Sequence, residues 1–304
     1  MRRTIFYKVE EILDLLFRIR NRIRRIFLKK HYISSDPKKS DSEVSFYEDA
    51  VTEILLSDSK FKKFRRIYDY REILEHVSRC QGLKYLEKIE KFSNVNDSFS
   101  ALIEGNDSIG KPRTYHYGKG IHSSPTTLRY LSVGLEIRNI FGEKLSGRFA
   151  EIGAGYGGQC SVLFKLFEVD EYFVYDLPSV QELISKYLGA IECMKNVKMP
   201  QPHTISAEPI DFLVSNYAFS ELPKAIQLDY LTGVISKANN GYMIMNSGLN
   251  NETGRSWGKL SHKEIQKFLP NSHLIVEDPL SSPDNYIIVW GENLNLSQVE
   301  ILHA

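Results

Sequence analysis

The chain has 304 residues, 42% hydrophobic and 25% charged, with a net charge of +1. That balance is ordinary for a soluble globular protein and excludes a collagenous or low-complexity chain. The three cysteines, Cys80, Cys160 and Cys193, have no metal-ligand spacing and make no even disulfide set, which points to a reducing compartment. No signal peptide and no apolar run of membrane-spanning length is read from the sequence, so a cytoplasmic location is expected.

Charge is unevenly spread. Residues 1–30 carry ten Lys or Arg against three Asp or Glu, or +7, which leaves −6 for the remainder. Ile5, Val9, Ile12, Leu16, Ile19, Ile23 and Ile26 recur in steps of four and three, a helical stripe flanked by arginines. Residues 1–33 therefore form a basic amphipathic arm. It suits peripheral contact with an anionic membrane surface, a short coiled coil, or docking on its own domain. Nucleic acid is not an expected partner, because the body is acidic and has no recognition module.

Residues 34–43 are a polar linker. Residues 44–125 form the next region, helical up to about residue 104, with apolar faces at Phe46, Ala50, Ile54, Leu55, Tyr70, Ile73, Leu74 and Val77. Residues 105–127 combine six Gly or Pro with His116 and His122, the composition of a functional loop. A helix is expected from Thr126 to about Phe141, opening the catalytic domain at 126–304.

The stretch Phe149-Ala150-Glu151-Ile152-Gly153-Ala154-Gly155-Tyr156-Gly157-Gly158 reads as a buried strand end, a glycine turn and a helix start. Glycines allow sharp turns and close ligand approach, and the helix start offers unpaired N–H groups. Two cofactor classes fit. Gly153, Gly155 and Gly158 satisfy the dinucleotide pattern G-x-G-x-x-G, and Glu151, Gly153, Gly155 and Gly157 satisfy E-x-G-x-G-x-G. The acid before the turn suits S-adenosyl-L-methionine (SAM), with its cationic amino and sulfonium groups, better than a pyrophosphate. Tyr172–Asp176 is a second strand ending in an acid, 23 residues past Gly153, where ribose hydroxyls are held in doubly wound folds. Its alternative role is to cap the helix beginning at Pro178. Asp211–Asn216, Tyr242–Asn246, Ser272–Glu277 and Tyr286–Trp290 supply further strands, the last two as a hairpin. Residues 292–304 read as a polar tail. The architecture expected is α/β and Rossmann-like: a mostly parallel seven-stranded sheet with a terminal antiparallel hairpin, behind a helical N-terminal region.

The set Glu-Ile-Gly-Ala-Gly-Tyr-Gly-Gly (151–158), Tyr-Asp-Leu-Pro (175–178), Ser-Asn-Tyr-Ala-Phe-Ser-Glu-Leu (215–222), Gly-Tyr-Met-Ile-Met-Asn-Ser-Gly (241–248) and Asn-Tyr-Ile-Ile-Val-Trp-Gly (285–291) resembles the sugar O-methyltransferases of bacterial polysaccharide clusters, within the class I SAM-dependent superfamily. The resemblance covers roughly residues 110–291. It implies SAM as cofactor, a sugar or glycan acceptor (nucleotide- or lipid-linked), and a lid role for the helical region. It places Gly153, Ala154, Gly155, Tyr156 and Gly157 along the methionine and ribose and Glu151 toward the ammonium. Asp176 falls on the ribose hydroxyls, Leu177 near adenine, and Asn216 and Tyr217 beside the methionine.

Methylating a hydroxyl needs a general base near the strand ends. His122, His116, Glu221 and His262 are the candidates. Residues 250–258, with Arg255 and Trp257, suit a carbohydrate or form an ordinary loop. No compact carboxylate cluster supports a metal, so none is expected. Methylation of a phosphoryl or amino group, a nicotinamide oxidoreductase and a non-catalytic scaffold stay open as alternatives.

Overall fold

A computed structural model describes residues 46–92, 97–118, 120–193, 196–202, 208–249 and 258–302, and Ile12. The basic arm apart from Ile12, the polar linker and residues 250–257 lie outside the described residues.

The N-terminal region is helical, as its apolar periodicity requires. It runs through α1 (Phe46–Leu55), α2 (Asp58–Phe61), α3 (Tyr68–Ile73), α4 (Arg79–Phe92) and α5 (Asp97–Asp107). The glycine-rich segment after α5 differs from the open loop expected. It folds into a small antiparallel hairpin, β1 (Tyr115–Gly118) and β2 (Ile121–Ser123), pairing His116 with His122. The hairpin docks on α4 where Gly82 leaves room: a side chain there would meet Tyr117.

Helix α6 (Pro125–Phe141) starts one residue earlier than expected. Ser124 caps it by accepting from Thr127 N at 3.2 Å, and Pro125 occupies the first turn, where its missing N–H costs nothing. The chain then alternates β3 (Ser146–Ile152), α7 (Gly158–Leu166), β4 (Glu168–Tyr175), α8 (Pro178–Ala190), β5 (Val197–Lys198), β6 (Ile210–Asn216), α9 (Ala218–Glu221), α10 (Lys224–Gly233), β7 (Ala238–Met245), α11 (His262–Gln266), β8 (His273–Val276) and β9 (Tyr286–Trp290).

The large sheet has the order β5-β4-β3-β6-β7-β9-β8. All neighbours from β5 to β7 are parallel, and β9 runs antiparallel between β7 and β8. This is the Rossmann-like class I methyltransferase sheet. Strand alternation sends Phe149, Phe212 and Tyr242 to one face, under α4, α6, α7 and α8. Ala150, Leu213 and Met243 face the other side, under α10 and α11. Strand order reverses between β3 and β6. Ligands of open α/β sheets bind beyond the carboxyl ends of the strands at such a switch point.

Residues 292–302 are not a free tail. Leu294, Leu296 and Val299 pack against the core. Glu300 O accepts from Val276 N, and Leu302 N donates to Leu274 O, each at 2.8 Å. The segment thus covers the exposed edge of β8, which would otherwise present unpaired backbone groups. Polar composition hid three apolar positions spaced to reach the sheet. Among the described residues no helix is long and apolar enough to cross a membrane.

Candidate active site

The glycine turn leaves β3 at the switch point. Gly153 has φ +76°, Gly155 +62° and Gly157 +90°, a region that L side chains rarely adopt. Space adds a second constraint at Gly153, since a Cβ there would collide with Ala218 at the start of α9. Asp176, just past β4, ties the turn in place. Its Oδ2 accepts from Gly155 N at 3.2 Å and its Oδ1 from Leu177 N at 2.8 Å. Burial pushes the Asp176 carboxyl up to about 6, while the N–H groups of Leu177, Gly155 and Ala154 pull it back down. A carboxylate so held is ionised at neutral pH and keeps lone pairs for hydroxyl donors.

Across the switch point stands the end of β6. Asn216 Nδ2 donates to Gln159 Oε1 at 3.1 Å, but its Oδ1 is buried without a hydrogen-bond partner. Such an orphan acceptor is costly and calls for a donor. Tyr217 follows at φ +68°, strained for a residue with a side chain. Strain of this kind costs on the order of 1–3 kcal/mol and clusters at functional sites. Three features therefore fit a ligand like SAM: a turn with backbone bared at its three glycines, a carboxylate for hydroxyls and an orphan acceptor for an ammonium.

Several expected site residues lie elsewhere. Glu151 Oε2 accepts from Tyr172 OH at 2.7 Å, between β3 and β4. Burial raises its carboxyl to about 8, so it is mostly protonated at neutral pH and offers no counter-charge to an ammonium. Tyr156 points away from the crevice into an aromatic cluster with Tyr187 (centroids 4.8 Å) and Phe64 (5.6 Å), under the Arg65 guanidinium at 4.7 Å. It anchors the N-terminal helices. Ala154 is buried in the core beside the turn, whereas Leu177 stays at the site beside Asp176, half-buried at the start of α8.

The base candidates also separate. His116 and His122 stack at 4.3 Å on the exposed face of the hairpin. Period-2 alternation sends Tyr115 and Tyr117 inward and the histidines outward. His262 is buried on the opposite face of the sheet. Its Nδ1 lies 3.1 Å from Gly248 O and its ring meets Tyr286 edge-on. Glu221 stays at the carboxyl edge, exposed, accepting from Asn246 Nδ2 at 2.8 Å.

A second polar centre was not expected from the sequence. A small cavity at the ends of β6, β7 and β8 is lined by Tyr85, Lys88, Arg129, Glu136, Tyr217 and Glu277, among others. Lys88 Nζ pairs with Glu136 Oε1 at 2.7 Å, and Tyr242 OH donates to Glu136 Oε2 at 2.6 Å. Glu277 accepts from Tyr217 OH, from Ser281 N at 2.8 Å and from Asn285 Nδ2 at 3.0 Å. Charges at core-facing helix positions, such as Lys88 in α4 and Glu136 in α6, were the only sequence signal.

No family model matches the chain, and no curated protein matches it. Among solved structures, a SAM-dependent methyltransferase from Aquifex aeolicus aligns with 54% of this chain and 96% of its own, at 15% identity and a TM-score of 0.38. The YcgJ protein from Bacillus subtilis aligns with 49% of this chain and 70% of its own, at 15% identity and a TM-score of 0.38. TrmK from M. capricolum, solved with S-adenosyl-homocysteine, aligns with 50% of this chain and 67% of its own, at 11% identity and a TM-score of 0.35. The class of fold is defined by the strand order described above, and these likenesses add nothing finer to it.

Proposed function

We propose that this protein is a SAM-dependent O-methyltransferase acting on a sugar hydroxyl in glycan assembly. One arrangement carries the reading. The Gly153–Gly157 turn, locked by Asp176, faces the orphan Oδ1 of Asn216 across the switch point of a class I sheet. When bound, SAM supplies an electrophilic methyl group on a sulfonium.

The chain's own residues do the remainder. Asp176, ionised above about pH 6, accepts from the ribose hydroxyls. Asn216 Oδ1 accepts from the ammonium, and Leu177 packs near adenine. The N-terminal helices act as a lid: Leu74 lies over Gly155, and Glu48 and Ser179 join α1 to the start of α8 at 3.4 Å. Covering the turn excludes water and fixes orientation, which supplies much of the rate in a displacement reaction. Of the four base candidates, Glu221 is retained to take the acceptor proton, because it alone stands exposed at the carboxyl edge beside Asn246. The basic arm is assigned to an anionic membrane surface, where lipid-linked glycans are assembled. Liposome flotation of the full chain against a form starting at Ser34 tests that role, and equal recovery of both at low salt would reject it.

The function itself is tested in two stages. Calorimetry should give saturable binding of SAM and S-adenosylhomocysteine and none of NAD. A mass-spectrometric screen of nucleotide sugars and lipid-linked glycans should then find one that gains a methyl group. Methyl gain only on an amine or phosphoryl acceptor would replace the sugar assignment.

A further inference from the structure

The described residues contain three buried cations in the helices around the sheet: Arg65, Lys88 and Arg129. Two of them have carboxylate partners. Arg65 pairs with Glu75 at 2.5 Å and Asp107 at 3.2 Å, and Lys88 with Glu136 at 2.7 Å. Arg129, only 7% exposed, makes no ion pair among the described residues. Its guanidinium rests on the rings of Tyr130 (5.3 Å) and Tyr217 (5.8 Å), and its Nε is buried with no hydrogen-bond partner. Aromatic faces compensate part of a buried charge, about 2 kcal/mol when desolvated, which is less than the cost of burial.

Three carboxylates line the same cavity, and all are engaged: Asp278 pairs with Lys91 at 3.5 Å. Glu136 holds Lys88 and Tyr242, and Glu277 holds Tyr217, Ser281 and Asn285. Arg129 borders the cavity between α4, α6 and the sheet, whose volume is about 10 Å³. That admits about one water molecule, or one oxygen of similar size. No residue of the glycine turn lines it.

We propose that Arg129 and this cavity form a subsite for one anionic oxygen of the acceptor, a carboxylate or phosphate carried by the sugar. The proposal rests on the methyltransferase reading and narrows it to acidic sugars. The cavity takes the charged substituent, not the ring, which stays at the carboxyl edge near Glu221.

The test uses the full chain loaded with S-adenosylhomocysteine. Calorimetry compares D-glucuronate, D-glucose 6-phosphate and neutral D-glucose on the natural protein, Arg129→Gln and Arg129→Lys. One charge-assisted hydrogen bond amounts to about tenfold or more in affinity. At least one anionic sugar should therefore bind the natural protein about tenfold more tightly than glucose. The preference should vanish in Arg129→Gln and persist in part in Arg129→Lys, with S-adenosylhomocysteine affinity unchanged in both. The two arms tell a carboxylate from a phosphate. Equal affinity for the three sugars in the natural protein, or binding of none, overturns the proposal and leaves the cavity to a water. So does a tenfold fall in S-adenosylhomocysteine affinity in Arg129→Gln, which would give the arginine to the cofactor's carboxylate. Failure of the natural protein to bind S-adenosylhomocysteine would instead sink the methyltransferase reading itself.

Discussion

On one side of the switch point, the consecutive residues Gly153 to Gly157 and a single aspartate shape the crevice. On the other side, the polar centre gathers Lys88, Arg129, Glu136, Tyr217, Tyr242 and Glu277, and Lys88 reaches Asp278, 190 residues away. The first side is held by backbone hydrogen bonds within a local turn. The second is held by one buried ion pair, Lys88 with Glu136, and by hydrogen bonds between distant elements. Loss of a group in the turn should thus change ligand affinity with little change in stability. Loss of a group in the composite centre should cost stability first, because its partner is left buried and uncompensated.

The largest expected effect tests that contrast. Lys88→Met strands the Glu136 carboxylate and should destabilise the protein by about 3–5 kcal/mol in chemical denaturation. Adding Glu136→Gln should restore much of the loss, because neither member of the pair then remains as a stranded charge and Tyr242 keeps an acceptor. A single variant as stable as the natural protein would show that the centre is not held by this pair.

Next comes Asp176→Ala. Removing a hydrogen-bonded carboxylate should weaken S-adenosylhomocysteine binding by about ten- to a hundredfold, at nearly unchanged melting temperature. The same carboxyl sets a pH dependence. Ligand hydroxyls bind its ionised form, so affinity in the natural protein should be flat above pH 7 and fall as pH drops through about 6. A fall already centred near pH 4 would mean that Asp176 is not desolvated as described.

A smaller effect separates Glu151 from the ligand. A free glutamate ionises near 4.5, whereas Glu151 holds its proton up to about 8. The folded state therefore binds the extra proton in that window. Stability from this group is full below about 4.5 and is lost as pH rises through 8. Glu151→Gln should flatten that part of the stability profile and leave cofactor affinity intact at pH 7. A large loss of affinity would return Glu151 to the cofactor.

The smallest effect belongs to the exposed hairpin. His116→Ala and His122→Ala should each change stability by no more than about 0.5 kcal/mol. Methyl-transfer rate should also stay within twofold. A hundredfold loss in either variant would restore a histidine as the base in place of Glu221.

How legible each side was follows from the same contrast. The glycine turn, Asp176 and the strand order could be read in advance, because each depends on a few adjacent residues and on strand–helix alternation. Tyr156 and Glu151 were misplaced because a turn motif gives residue type and spacing but not which face a side chain takes. Tyr156 turned to Tyr187 and Phe64, and Glu151 to Tyr172, each a contact set by tertiary packing. The histidines were drawn to the site by composition, yet alternation in a hairpin that was not foreseen turned them outward. Arg129 could not be singled out at all. Its lack of a carboxylate partner exists only once α4, α6 and the sheet have been brought together.

The central claim is that the turn at the switch point binds SAM, and titration calorimetry of the full chain with S-adenosylhomocysteine and with NAD tests it most directly. The account expects one-to-one binding of S-adenosylhomocysteine, weakened at least tenfold in Asp176→Ala, and no heat from NAD. Binding of NAD with no binding of S-adenosylhomocysteine would contradict it.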